Sequence, residues 1–97
     1  MVAMSVLYVE YIKDLFSPNL TLRPGIIEEL EKTILDIPYN EIIIDFSGVK
    51  SMSIEFAEEY LSIKHKSKKI INEVNIPLHL ESVMDKALEN ISQFHTQ

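Results

Sequence analysis

The chain has 97 residues, 46% of them hydrophobic and 25% charged, which is typical of one folded domain covering residues 1–97. It contains no cysteine, which excludes a disulfide framework, a thiolate nucleophile and a thiolate zinc site. Nine basic residues against 15 acidic ones give a net charge of −6, which makes nucleic acid an unfavourable partner.

Residues 4–12 predict the first strand, because β-branched and aromatic residues dominate this stretch. Apolar side chains fall on both of its faces, so we expect both faces to be partly covered. Residues 13–25 contain two prolines and a glycine, which indicates a loop, and residues 19–22 could add a short edge strand within it.

A helix is predicted after this loop. Pro24 suits its first turn, where the missing N–H costs nothing. Ile27, Leu30 and Ile34 then recur at helical spacing on one face, and Pro38 ends the helix.

Residues 42–44 form a continuous apolar run, followed by Asp45 and Phe46, and this run predicts a central strand covered on both faces. Ser47 and Gly48 then turn the chain. A second helix should begin near Ser53, and its apolar stripe keeps the same phase to about residue 73.

Alternating apolar residues predict a short third strand at 76–80. Ser82 and Asp85 resemble the capping box of a last helix, whose apolar face contains Val83, Ala87, Ile91 and Phe94. Strands that alternate with helices predict an α/β fold with a small, mostly parallel or mixed central sheet and three main helices.

The most informative stretch is residues 42–60, where a buried strand leads through a short loop directly into a helix. Such strand ends are where ligands and partners meet open α/β sheets. Residues 45–49 read Asp-Phe-Ser-Gly-Val, and residues 56–59 read Phe-Ala-Glu-Glu. This stretch resembles the STAS domains, and most closely the STAS-like family of uncharacterised function. Arg23, before the first helix, is similar to an arginine of that family.

The resemblance implies a non-enzymatic, regulatory protein-interaction module related to the bacterial anti-sigma factor antagonists. In those proteins a kinase-like anti-sigma factor phosphorylates a serine at the start of the helix, and the added charge blocks partner binding. The ungapped match places Glu55 at that serine, so Ser53 or Ser51 would be the substitute acceptor. The implied partner is a signalling protein such as a kinase-like ATPase. The implied partner-binding residues are Ser47, Gly48, Ser51, Met52, Ser53, Ile54, Glu55, Glu58 and Glu59.

A purely structural interpretation accounts for the same residues one by one. Ser53 would be a helix N-cap, the glutamates would suit the positive end of the helix dipole, and Gly48 would serve the turn. Met52 and Ile54 could offer apolar contact if they are exposed. Two further functions stay open: a small anionic ligand or nucleotide at the helix start, and self-association into a homo-oligomer through a free sheet edge.

Catalytic and metal-binding patterns are weak in this sequence. A triad would need Ser51 or Ser53, Asp45 and one of the three histidines, which are His65, His79 and His95, but no Gly-x-Ser-x-Gly elbow is present. No two histidines are paired at i and i+4, and no glycine-rich phosphate loop occurs. We therefore expect no enzymatic activity, no cofactor and no metal.

Three further expectations concern location and surface. No apolar run approaches the roughly 20 residues of a membrane span, so no membrane partner is expected. The first seven residues lack the basic region of a secretory signal, so we expect a cytoplasmic protein. The lysine-rich stretch 64–69 is interpreted as a solvated face.

Overall fold

A computed structural model describes residues 7–95 of the chain, and the side chains of residues 8–92. The strands are β1 (Leu7–Tyr11), β2 (Asn19–Leu20), β3 (Glu41–Asp45), β4 (Ser51–Met52) and β5 (Ile70–Val74). The helices are α1 (Ile12–Leu15), α2 (Ile26–Glu31), α3 (Ile54–Lys66) and α4 (Leu78–His95). A π-helical segment, Lys32–Asp36, continues α2. Residues 4–6 of the predicted first strand lie outside the described residues.

The main sheet has the strand order β1-β3-β5, and both of its strand pairs are parallel. A second, two-stranded sheet pairs β2 with β4, also in parallel. The strand β2 is the short strand that was expected within residues 19–22. Helices separate the strands of the main sheet along the chain. The predicted α/β architecture with a small parallel sheet is therefore confirmed.

The two faces of the main sheet differ in burial. On one face Ile42, Ile44 and Ile71 are buried and belong to the core. On the other face Val9 is 43% and Ile70 is 58% exposed. On this face β1 is therefore partly covered at Val9, as expected, whereas β3 is half-buried at Ile43 and buried at Asp45, so the full cover expected for the second strand is reached only in part.

The first long helix begins later than predicted. Gly25 has φ +89°, a left-handed conformation that stops the helix from including Pro24, so α2 starts at Ile26. Its buried residues include Ile26 and Leu30, whereas Ile27 is 38% exposed. The helical period was therefore predicted correctly, but the buried face is rotated by one position at the helix start.

The second long helix ends earlier than predicted. Ser67 has an extended backbone with ψ 144°, so α3 stops at Lys66 and does not continue to residue 73. Residues 70–74 instead form β5, which pairs with every residue of β3 from Glu41 to Asp45. A buried central strand needs hydrogen-bond partners on both edges, and this long-range need overrides the helical pattern.

The last helix begins before the predicted cap. The expected strand at 76–80 is wrong, because α4 starts at Leu78 and Ser82 and Asp85 lie inside it. Leu80 is only 3% exposed whereas Leu78 is 82% exposed, a difference that two residues on one face of a strand would not show. The buried residues Leu80, Met84, Ala87 and Ile91 follow a helical spacing. Phe94 lies outside the residues whose side chains are described.

None of the helices described between residues 7 and 95 combines the length and the apolar character that a membrane crossing requires.

Candidate functional site

The candidate site begins where β3 ends, at a buried carboxylate. Asp45 is 8% exposed, and its Oδ1 accepts hydrogen bonds from the Ser47 backbone N at 2.9 Å and from the Ser47 hydroxyl at 2.6 Å. Asn75, at the end of β5, donates its side-chain amide to the same carboxylate at 3.2 Å. These bonds stabilise the ionised form, with the Ser47 hydroxyl contributing most, and they lower the pKa of Asp45 despite its burial. The turn after β3 is therefore held in place by its own strand and by β5.

Gly48 lies at the outer end of this turn and has φ +80°, a conformation that other residues rarely adopt. A Cβ atom placed on Gly48 would lie 2.9 Å from Cδ of Lys13, because the lysine side chain lies directly over the glycine. The next residue, Val49, is 3% exposed, and its backbone N–H donates to the carbonyl of Phe46 at 3.1 Å. The positive φ therefore explains the glycine at this turn, whereas the exposed Lys13 side chain could move aside for a Cβ atom.

Residues 50–53 are held against the segment that contains β2. The backbone N–H of Lys50 donates to the carbonyl of Pro18 at 2.7 Å, and that of Ser53 donates to the carbonyl of Leu20 at 2.8 Å. The Ser51 hydroxyl donates to Oδ1 of Asn19 at 2.7 Å. We expected an irregular loop here. Instead, this part of the site contains the short strand β4.

The start of α3 combines a satisfied cap with exposed negative charge. Ser53 is the N-cap, as predicted, and its hydroxyl accepts the backbone N–H of Phe56 at 3.1 Å. Glu55 is exposed, and Glu58 is half-buried and accepts the side-chain amide of Asn90 at 2.7 Å. Because the cap is occupied and acidic side chains stand beside it, a bound anion is unfavourable here.

The remaining predicted site residues differ in accessibility. Met52 is 7% exposed and belongs to the core. It is therefore not available for apolar contact with a partner. Ile54 and Glu59 are half-buried, as is Ser53, whereas Ser51 is exposed.

Two neighbouring residues at the start of α4 also bear on this site: His79, which the sequence suggested only for catalysis or metal binding, and Leu78, which was expected only as part of a strand. Nε2 of His79 lies 2.9 Å from the carbonyl oxygen of Lys50, and Nε2 is the donor because a carbonyl only accepts. Leu78, the preceding residue, is 82% exposed. The expected strand at 76–80 grouped Leu78 with Ile76 and Leu80, so it gave no sign that Leu78 is exposed.

The residues considered for catalysis are not assembled into a triad in the described part of the chain. The carboxylate of Asp45 accepts from Ser47 and Asn75, and His79 contacts the Lys50 carbonyl. His95 lies outside the residues whose side chains are described. Among the described residues no group of three histidine or acidic side chains could hold a metal ion.

The lysine-rich stretch is only partly a solvated face. The ammonium of Lys64 pairs with Glu73 at 2.8 Å, and that of Lys69 donates to the carbonyls of Ile37 and Tyr39. Lys66 and Lys68 are exposed. Two lysines of this stretch therefore bind β5 and the connection before β3.

Comparison of the chain with protein-family models, with characterised proteins and with solved structures finds no match. The resemblance to STAS domains therefore rests on residues 42–60 and on the order of strands and helices.

Proposed function

We propose that the chain is a non-enzymatic regulatory module of STAS-like type that binds a protein partner. We define the docking surface as Ser47, Gly48, Ser51, Ser53, Ile54, Glu55, Glu58 and Glu59, together with Leu78. One observation carries the proposal: the segment 47–55 is held by hydrogen bonds to neighbouring segments, yet Glu55 and the nearby helix start at Leu78 face solvent.

The rigidity of this surface supports a binding role. Backbone bonds from Lys50 and Ser53 to the β2 segment order the chain before any partner arrives. A preordered surface loses less conformational entropy on binding, so more of the contact free energy appears as affinity.

The exposed side chains indicate what the partner should present. Burial of a leucine side chain such as Leu78 contributes about 1.5–3 kcal/mol, so the partner should offer an apolar pocket. The carboxylate of Glu55 favours a lysine or arginine opposite it, which would act mainly on partner choice and association rate.

Regulation by phosphorylation belongs to the same proposal, with a kinase-like ATPase as the partner. Ser51 is the better acceptor, because it is exposed whereas Ser53 is half-buried and caps α3. A phosphate on Ser51 would remove its hydrogen-bond donation to Asn19 and add about −1.5 to −2 charges close to Glu55.

The test is quantitative co-purification of partners from native cells, followed by affinity measurement with the purified partner. Wild type is compared with Glu55→Lys and with a matched control, Glu28→Lys, which reverses an exposed first-turn glutamate on α2. We expect to recover a partner whose affinity for Glu28→Lys equals that for wild type and whose affinity for Glu55→Lys is at least about tenfold lower. Equal recovery of every partner by both variants would refute the docking surface.

Self-association is a second candidate, favoured by the open face of the main sheet. Parallel sheets are normally covered on both faces, yet Val9, Tyr11 and Ile70 are between 43% and 58% exposed here. Molar mass measured by light scattering across a concentration series tests this candidate. A dimer that Val9→Lys dissociates and Leu78→Lys leaves intact would support it, and a constant monomer mass would exclude it.

A cytoplasmic location completes the proposal, and fractionation of native cells tests it.

A further inference from the structure

A cleft of about 360 Å³ lies between α3, α4 and the end of β5, and it shares no lining residue with the docking surface. Its volume is at the lower end of the range typical of small-molecule sites. The side chain of Leu88 is 47% exposed, which leaves an apolar residue at the solvent side of the cleft. The apolar lining residues are Leu61, Ile76, Met84 and Leu88.

A network of three polar side chains adjoins this apolar lining. The buried Tyr60 hydroxyl donates to Oε2 of Glu73 at 2.5 Å. The ammonium of Lys64 donates to both oxygens of the same carboxylate, at 2.8 Å and 3.1 Å. Burial, followed by the charge of Glu73, raises the pKa of Tyr60 well above its usual value, so the phenol stays neutral and keeps donating.

Lys64 keeps hydrogen-bonding capacity beyond this network. An ammonium group has three N–H donors, and the contacts of Lys64 within the described residues all go to Glu73. Its side chain is 31% exposed, so the remaining donor can reach a group that enters the cleft. Glu73, by contrast, already accepts at both oxygens.

Asp85 supplies a negative charge from the α4 side of the cleft. It is exposed, and no described cation lies within ion-pair distance of its carboxylate. Lys64 and Asp85 therefore line the same cleft with opposite charges that do not contact each other. His65 also lines the cleft and has interactions of its own.

We propose that this cleft binds a small apolar α-amino acid in its zwitterionic form. The ligand carboxylate would bind Lys64, its ammonium would bind Asp85, and its side chain would lie among Leu61, Ile76, Met84 and Leu88. A simple carboxylic acid would leave Asp85 without a partner, and a simple amine would leave the free donor of Lys64 unused. Charge-assisted hydrogen bonds at both ends, combined with apolar burial, select the zwitterion.

The binding experiment uses thermal shift and isothermal titration calorimetry with L-leucine, L-methionine and L-phenylalanine on the whole chain. Isopentylamine and 4-methylpentanoate serve as matched probes, because each keeps the leucine side chain but carries only one charged group. L-Serine keeps both charges but lacks the apolar side chain. We expect the three apolar amino acids to raise the melting temperature at millimolar concentration, and the other probes to bind at least about tenfold more weakly.

Two variants distinguish this site from unspecific binding. Asp85→Asn removes the charge at an exposed position, and Glu81→Gln makes the equivalent change elsewhere on α4, outside the cleft. We expect Asp85→Asn to lose at least about tenfold in affinity for leucine and to leave the binding of 4-methylpentanoate unchanged, whereas Glu81→Gln behaves as wild type. The proposal is overturned if no apolar amino acid binds, if the single-charge probes bind as well as leucine, or if both variants change affinity equally.

Discussion

Removal of a single hydroxyl group, in Tyr60→Phe, measures how much the network beside the cleft stabilises the fold. Tyr60 is 1% exposed, and its hydroxyl donates to the carboxylate of Glu73 at 2.5 Å. A hydrogen bond to a charged group contributes about 1.5–3 kcal/mol, so we expect the free energy of unfolding at pH 7 to fall by about 2 kcal/mol. Glu73 keeps its contact with Lys64, which limits the loss. In a domain of this size the melting temperature should fall by about 8–16 °C.

The assay is urea unfolding at a series of pH values, with Tyr11→Phe as the matched control. Tyr11 is 47% exposed, so the same change there should leave stability within about 0.5 kcal/mol of wild type. The folded-state pKa of Tyr60 is raised, so its stabilising effect is complete below about pH 10 and is lost as the pH rises towards the folded-state value. The difference between wild type and Tyr60→Phe should therefore shrink above pH 10. A loss at pH 7 no larger than that of Tyr11→Phe, or a difference independent of pH, would refute this reasoning.

Three further predictions concern the candidate site and the helix boundaries. Asp45→Asn should lower the free energy of unfolding at pH 7 by about 1–3 kcal/mol. Because the folded-state pKa of Asp45 is lowered, its stabilisation is present above about pH 4 and is lost as the pH falls through the folded-state value, so the variant should show a weaker acid dependence in urea titrations. Gly48→Ala and Gly25→Ala should each lower the free energy of unfolding by about 1–3 kcal/mol in thermal unfolding because both glycines have positive φ, and the two losses should be similar because the exposed Lys13 side chain over Gly48 can move aside. Leu80→Ala should cost about 2–5 kcal/mol and Leu78→Ala almost nothing, whereas equal losses would indicate that α4 does not begin at residue 78.

Local signals in the sequence were sufficient for much of the fold. The apolar run at 42–44 predicted the central strand, and the Ser53 cap predicted the start of α3, because each depends on residues close together in the chain. The same local patterns failed where a distant partner decides. Residues 70–74 continue the helical phase of α3, but they pair with the free edge of β3 and form a strand.

The exposure of individual site residues could not be predicted in the same way. Met52 and Leu78 are similar apolar residues in the sequence, yet Met52 is 7% and Leu78 is 82% exposed. Burial depends on which side chains other segments bring near, and periodicity alone does not contain that information. The contact between His79 and the Lys50 carbonyl joins residues 29 positions apart, and it places the start of α4 beside the turn after β3.

The sequence by itself determined the α/β class, the order of the main elements, and the turn and cap that frame the candidate site. These features depend on backbone preferences and apolar spacing, which act over a few residues. Only the tertiary structure decided where α3 ends, which face of the sheet is open, and how Tyr60, Glu73 and Lys64 come together beside a cleft. The physical reason is that strand pairing and charge pairing act between segments far apart in the chain, so their outcome depends on the packing of the whole molecule.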